Sequence, residues 1–139
     1  MNLKYIHLIS ILFLINTFKI DDPKKFMTDV IIDLYGNYKY LLIEMTNKTN
    51  LNDYKYLVRG SNAFEYHKSL YLNFMRNSVY KFPEIYNNFS FQILGGGRIS
   101  VYSNNITVFG SSGYYGEANH KLTCNLIKKA YPSYNCIAE

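Results

Sequence analysis

FSFQILGGGRISVY, residues 89–102, decides how this chain is read. Phe89, Phe91 and Ile93 alternate with polar neighbours, the period of a half-buried strand, and run into Gly95, Gly96 and Gly97. Ile99 and Val101 resume the alternation. With Ile106 and Val108, across Ser103, Asn104 and Asn105, they predict a hairpin. The glycines then read either as a bulge or tight turn between strands, or as a place of close backbone approach beside Arg98, whose guanidinium is a fixed charge on a planar fork. They are not the phosphate-binding loop of nucleotide hydrolases, because the lysine that closes that pattern is missing and no helix comes directly after them.

Working outward, residues 38–45 alternate well. Tyr40 and Leu42 point one way, Leu41, Ile43 and Met45 the other, with Lys39 on this second face. Residues 29–33 are read as a short strand, 46–53 as a polar loop, and 54–58 as a strand ending at Arg59 and Gly60. The period then changes. Asn62 and Glu65 have the spacing of a capping box, and Ala63, His67, Leu70 and Phe74 recur at helical intervals up to Tyr80–Phe82, before Pro83. A second helix is expected over 117–130, with Ala118, Leu122 and Leu126 on its apolar face, Lys128 and Lys129 near its negative end, and Pro132 beyond. A last strand is expected over 134–137. The pattern β–β–α–β–β–β–α–β predicts an α+β single domain, one mixed sheet of about six strands with a helix on each face.

Composition narrows the class. At 139 residues, 48% apolar, the chain suits one globular domain. Residues 1–25 form an apolar extension ended by Asp21, Asp22, Pro23, Lys24 and Lys25, and 26–139 form the folded body. The apolar run 6–18 is too short to span a bilayer but matches the core of a signal segment in length. A cytoplasmic protein is expected, with the secretory pathway or a membrane anchor as the alternative if 1–20 act as a signal. The net charge of +5 favours an anionic partner, yet the basic residues are dispersed rather than striped, which argues against nucleic acid. Cys124 and Cys136 have no ligand spacing, so no metal site is expected. They are read as two buried reduced thiols, a disulfide being the other option.

Three segments carry the candidate chemistry: Glu65–His67, Leu94–Ser100 and Gly110–His120. His67 is either a core histidine satisfied by a carbonyl or a general base kept neutral by burial and a helix N-terminus. Ser112–Gly116, at a helix start, offers backbone N–H groups to an anion. Lys39 and Arg59, at strand ends, are either solvated charges or site cations. His120 is expected to be structural.

Together these segments resemble the phosphohistidine phosphatases of the Janus/Ocnus type over about residues 27–138. The resemblance rests on the stretches around Tyr38–Ile43, Val58–Gly60, Glu65–His67, Leu94–Ser100, Tyr115–His120, Ile127–Lys128 and Tyr131–Tyr134. It implies an enzyme, without metal or other cofactor, that removes phosphate from histidine in proteins, with phospholysine as a further option. It also implies His67 as the essential base or nucleophile, and Lys39, Arg59 and Arg98 as cations around the phosphoryl oxygens. Ser112 and the N–H groups of Gly113 and Tyr114 would form its cradle, with His120 in support. The implied partners are phosphohistidine proteins, with no nucleic acid, and the chain is expected to be a monomer. Three features depart from the family: Tyr114 replaces a small residue, residues 80–88 differ in composition, and the N-terminal extension is longer. Tyr114 would narrow the mouth, stack on the substrate's imidazole, or point away. Two alternatives stand beside the enzyme: a non-catalytic phosphohistidine-binding or regulatory protein and, more remotely, an RNA-binding module, which lacks the expected basic–aromatic strands.

Overall fold

The structure, a computed structural model, describes residues 19–139. The apolar run 6–18 lies outside the described residues. Strands β1 (Val30–Ile31), β2 (Gly36–Asn47), β3 (Tyr54–Gly60), β4 (Phe89–Tyr102), β5 (Asn105–Phe109) and β6 (Asn135–Ala138) form one mixed sheet in the order β1-β3-β2-β4-β5-β6. The pairs β1–β3 and β5–β6 are parallel and the rest antiparallel. The helices are α1 (Pro23–Phe26), α2 (His67–Phe74), α3 (Pro83–Tyr86) and α4 (His120–Ala130), and a π-helical turn, Met75–Val79, extends α2.

β2 lies between β3 and β4, so both of its edges are paired, and a hydrophobic core covers each of its faces. Tyr40 and Leu42 face the core beneath α4, together with Val58, Ile99, Val108 and Ile127. Leu41, Ile43 and Met45 face the core beneath α2, together with Leu57, Leu70 and Phe74. Leu41, Leu42 and Ile43 are fully buried, each a gain of about 1.5–3 kcal/mol. This is the expected α+β domain with a helix on each face. The polar segment before the body is also ordered. Asp22 caps α1 by accepting from Lys25 N, and Ile20 and Met27, on either side of α1, are buried in the α2-side core.

Four local expectations change. β4 is one unbroken strand of 14 residues, because β2 pairs with it along its whole length. The glycines cost only one irregularity: Leu42 faces Gly95 while Ile43 faces Ile93, which leaves Leu94 as the extra residue of a bulge. The capping box does not form. Asn62 instead gives its backbone N–H (2.7 Å) and side-chain amide (3.2 Å) to the Asp33 carboxylate. Residues 62–66 therefore stay non-helical, and α2 starts at His67 with no side-chain cap. α4 starts at His120 rather than at 117, because Gly116–Ala118 is drawn into pairing with Gly96. Asn119 Oδ1 then caps α4 by accepting from Leu122 N. The face of α4 is rotated accordingly: His120, Thr123, Cys124 and Ile127 are buried, while Leu122 and Leu126 are half-buried at its margins. Lastly, Cys124 and Cys136 are joined as a disulfide that ties α4 to β6. The reading of two reduced thiols is corrected here, since their position on adjacent elements, 5.5 Å apart at Cα, was hidden in the sequence.

Candidate active site

Strand alternation sorts the candidates onto faces. Lys39 is in register with Arg98, and Leu41 with both Arg59 and Gly96. All five therefore share the face covered by α2. Gly97, one residue on, belongs to the opposite face.

Gly96 is the floor of the site. A Cβ placed there would lie 2.8 Å from His67 Cδ2, 3.0 Å from His67 Nε2 and 3.0 Å from Ser112 Cβ. Only a residue without a side chain lets the imidazole and the serine come down together onto the strand. His67 is buried, and its Nε2 lies 3.0 Å from the carbonyl oxygen of Gly97. A carbonyl only accepts, so Nε2 carries the proton and Nδ1 keeps its lone pair. Burial holds the His67 pKa below the ordinary imidazole value. The Gly97 carbonyl opposes this, and the positive charges of Lys39 and Arg98 add to the lowering. The result is a neutral imidazole with one free basic nitrogen.

Two cations stand beside it. Arg98 is held by Asn37: its Nε donates to Asn37 Oδ1 at 2.9 Å and one terminal nitrogen to the Asn37 carbonyl at 3.4 Å. A cavity of about 350 Å³ opens here, lined by Lys39, Arg98, Asn37, Asn62, Phe64 and Glu65 among others. Its walls are the start of β2, the end of β4 and the segment leading into His67. Neither Lys39 nor Arg98 pairs with a carboxylate among the described residues.

Ser112 is buried, in a turn closed by Ser112 N to Gly116 O (3.0 Å) and Gly116 N to Ser112 O (2.9 Å). Its hydroxyl accepts from Tyr115 N at 3.0 Å. The backbone N–H groups of Gly113 and Tyr114, at the tip, have no hydrogen-bond partner among the described residues. The expected donors are therefore available, but they belong to a closed turn and not to the first turn of a helix.

His120 and Arg59 stand apart from this group. His120 lies on the other face, with both nitrogens occupied. Nε2 donates to the Gly110 carbonyl at 2.7 Å, and Nδ1 accepts from the Tyr40 hydroxyl at 2.6 Å. Tyr40 in turn accepts from Thr123 Oγ1 at 3.2 Å. Burial pushes the Tyr40 phenol up to about 12, so it stays a donor. The network leaves His120 no free lone pair and anchors the start of the 110–116 loop. Arg59 is buried, with its guanidinium 5.4 Å above the Phe74 ring, and donates at 2.9 Å to the Val58 carbonyl and at 3.3 Å to that of Asp29. It shares the α2 face, and like His67 and Ser112 it is not among the residues that line the cavity.

Sequence reasoning missed Asn37 and Tyr40. Asn37 had a signal, since it lies two residues before Lys39 and so on the same strand face. Tyr40 had none, being 80 residues from the histidine it holds. Among the described residues no group of three or more His, Cys, Asp or Glu is placed to hold a metal ion. No helix among them is long and apolar enough to cross a membrane.

Comparisons with known proteins give the family. Residues 24–135 match the model of the Janus/Ocnus family. The chain is 35% identical over 113 residues to the 14 kDa phosphohistidine phosphatase of Sus scrofa, covering 77% of this chain and 85% of the relative. It is 35% identical over 112 residues to the 14 kDa phosphohistidine phosphatase of Homo sapiens, covering 76% and 85%. The family match takes in the strand that seats His67, the two cations of the cavity and the serine turn. This chain belongs to the Janus/Ocnus family.

Proposed function

We propose that the protein is a phosphohistidine phosphatase that hydrolyses the P–N bond of phosphohistidine in proteins without a metal, with phospholysine as a second substrate. The single observation that carries this reading is the tautomer of His67: Nε2 is bound to the Gly97 carbonyl, which leaves Nδ1 basic in an imidazole that feels the positive charges of Lys39 and Arg98. The names of the 35% identical relatives point to the same substrate class.

In the base mechanism, His67 Nδ1 takes a proton from water as the water oxygen attacks phosphorus. The O–P bond forms, the P–N bond breaks, the leaving imidazole nitrogen takes a proton from solvent and His67 gives its proton back to solvent, leaving histidine and inorganic phosphate. A phosphoramidate leaves readily once its nitrogen is protonated, so the protein has mainly to position the groups and stabilise charge. Lys39, Arg98, the Ser112 hydroxyl and the N–H groups of Gly113 and Tyr114 would surround the phosphoryl oxygens. In the nucleophilic variant, Nδ1 bonds to phosphorus as the substrate's P–N bond breaks and its imidazole nitrogen takes up a proton; water then cleaves the new N–P bond, releasing inorganic phosphate and restoring His67. His120 acts from the far face by holding Gly110, and Arg59 by packing against α2.

The test is phosphate release from a phosphohistidine peptide in EDTA, with the full chain and its His67→Ala variant. Turnover by the wild type and none by a folded variant is expected. Equal turnover by both refutes the mechanism. Binding of the peptide by the wild type without turnover identifies a phosphohistidine-binding protein instead.

A further inference from the structure

Tyr114 is 85% exposed at the tip of the 112–116 turn. An aromatic ring left in water there is not packing the core, yet it is not loose. It meets the Tyr115 ring edge to face, with centroids 4.8 Å apart and planes at 82°. Tyr115 in turn lies against Tyr71, 6.1 Å between centroids. Tyr71 stands four residues after His67 on α2, one helical turn along the same side. The chain of rings therefore begins on the helix that carries the candidate base and ends at the loop that carries the candidate phosphate donors. At its other end, Ser112 and His67 meet over Gly96. The last ring stands two residues beyond Ser112, against Tyr115 on one side and open to water on the other.

Resting on the phosphohistidine reading, we infer that Tyr114 is a specificity residue: its ring is an aromatic wall against which the imidazole of phosphohistidine stacks, favouring that substrate over phospholysine. Both substrates present the same phosphoryl group on nitrogen, so the phosphate cradle cannot separate them. They differ in the group that bears this nitrogen. Phosphohistidine has a flat π-system directly behind the P–N bond, and phospholysine has a flexible methylene chain. A rigid ring discriminates in favour of the first, because stacking adds to area burial only when both partners are planar. The neighbouring Gly113 leaves the approach clear, since even a Cβ there would meet nothing within 4 Å.

The test uses the full chain as wild type, Tyr114→Ala and Tyr114→Phe. The kcat/KM values on matched phosphohistidine and phospholysine peptides give a selectivity ratio. Affinity for a stable phosphonate analogue of phosphohistidine, relative to inorganic phosphate, gives a binding ratio. Tyr114→Ala should lower both ratios by roughly 2- to 10-fold, the span of one aromatic contact, with the change on phosphohistidine falling in KM more than in kcat. Tyr114→Phe, which keeps the ring, should restore them. Unchanged ratios in Tyr114→Ala, or a wild type that does not bind the analogue, overturn the proposal. If binding depends on the ring but no variant turns over either peptide, the aromatic wall stands and the phosphatase reading falls.

Discussion

His67 and His120 sit on opposite faces of one strand, each against its own glycine. His67 packs on Gly96, and His120 on Gly97, where a Cβ would come within 2.7 Å of His120 Cε1. The two imidazoles are 53 residues apart in the chain, yet a single peptide unit separates the positions that receive them. The carbonyl of Gly97 also accepts from His67, so one residue serves both.

Replacing either glycine should have different consequences. Gly96→Ala puts a methyl group into the His67 ring and the Ser112 side chain. It should cut phosphohistidine turnover at least about 10-fold by moving the base. Gly97→Ala meets the Phe109 carbonyl at 2.6 Å as well as His120. Backbone cannot swing aside, so this variant should lose about 1–3 kcal/mol of stability, as overpacking does. Denaturant melts and single-turnover assays on both variants separate the two effects.

The lowered pKa of His67 fixes a pH window. Its folded-state pKa lies below the unfolded value of about 6.5. The unfolded chain therefore binds this proton first as the pH falls. Stability from this group is full at neutral pH, declines as the pH drops through about 6.5, and stops declining below the folded pKa. The acid limb of kcat/KM should likewise have its midpoint below about 6.5. Lys39→Met removes one of the positive charges that depress the pKa, so it should move that limb toward higher pH. A shift toward lower pH would contradict the assignment.

Arg59 should prove less important to turnover than Lys39 or Arg98. Its Nε and one terminal nitrogen are buried without hydrogen-bond partners among the described residues, and burial lowers its pKa to about 10. A charge so poorly compensated contributes little net stability, and a hydrophobic replacement of similar length removes its desolvation cost. Arg59→Met should retain the wild-type denaturation midpoint or exceed it. A loss of turnover matching that of Arg98→Ala would instead place Arg59 on the substrate.

Reduction of the Cys124–Cys136 disulfide should lower stability by about 3 kcal/mol, the loop-closure contribution for a bridge of this span. The bridge ties α4 to β6 on the face away from His67. At 25 °C turnover should therefore persist in dithiothreitol or in Cys124→Ser, while the melting temperature falls. Parallel thermal melts with and without reductant measure the difference.

The sheet was largely legible because its signal is periodic. Residues 38–45 and 54–58 show their strands, and the helical spacing from Ala63 to Tyr80–Phe82 shows a helix stopped by Pro83. What failed were features that depend on distant partners. Asn62 has the chemistry of a cap, but Asp33, 29 residues away, takes its donors. The glycines read equally as a bulge or as a tight turn between two strands, and it is β2 that decides for the bulge, by pairing on both sides of it within one strand. Residues 117 and 118 look helical until Gly96 competes for the backbone around them. Within the site, residue types were legible from the combined motifs, whereas the free nitrogen of His67 was not. That nitrogen is set by a carbonyl 30 residues away.

The seating of the histidines on adjacent glycines also bears on how such a site can evolve. The floor at 96 and 97 has no space for even one added carbon, so its sequence is confined to a single residue type at each position. The tip of the 112–116 turn is different, since a Cβ at Gly113 would meet nothing within 4 Å and Tyr114 projects into water. Diversification can proceed there without disturbing the atoms below. Change at the tip of that turn thus leaves the seating of both histidines as it is.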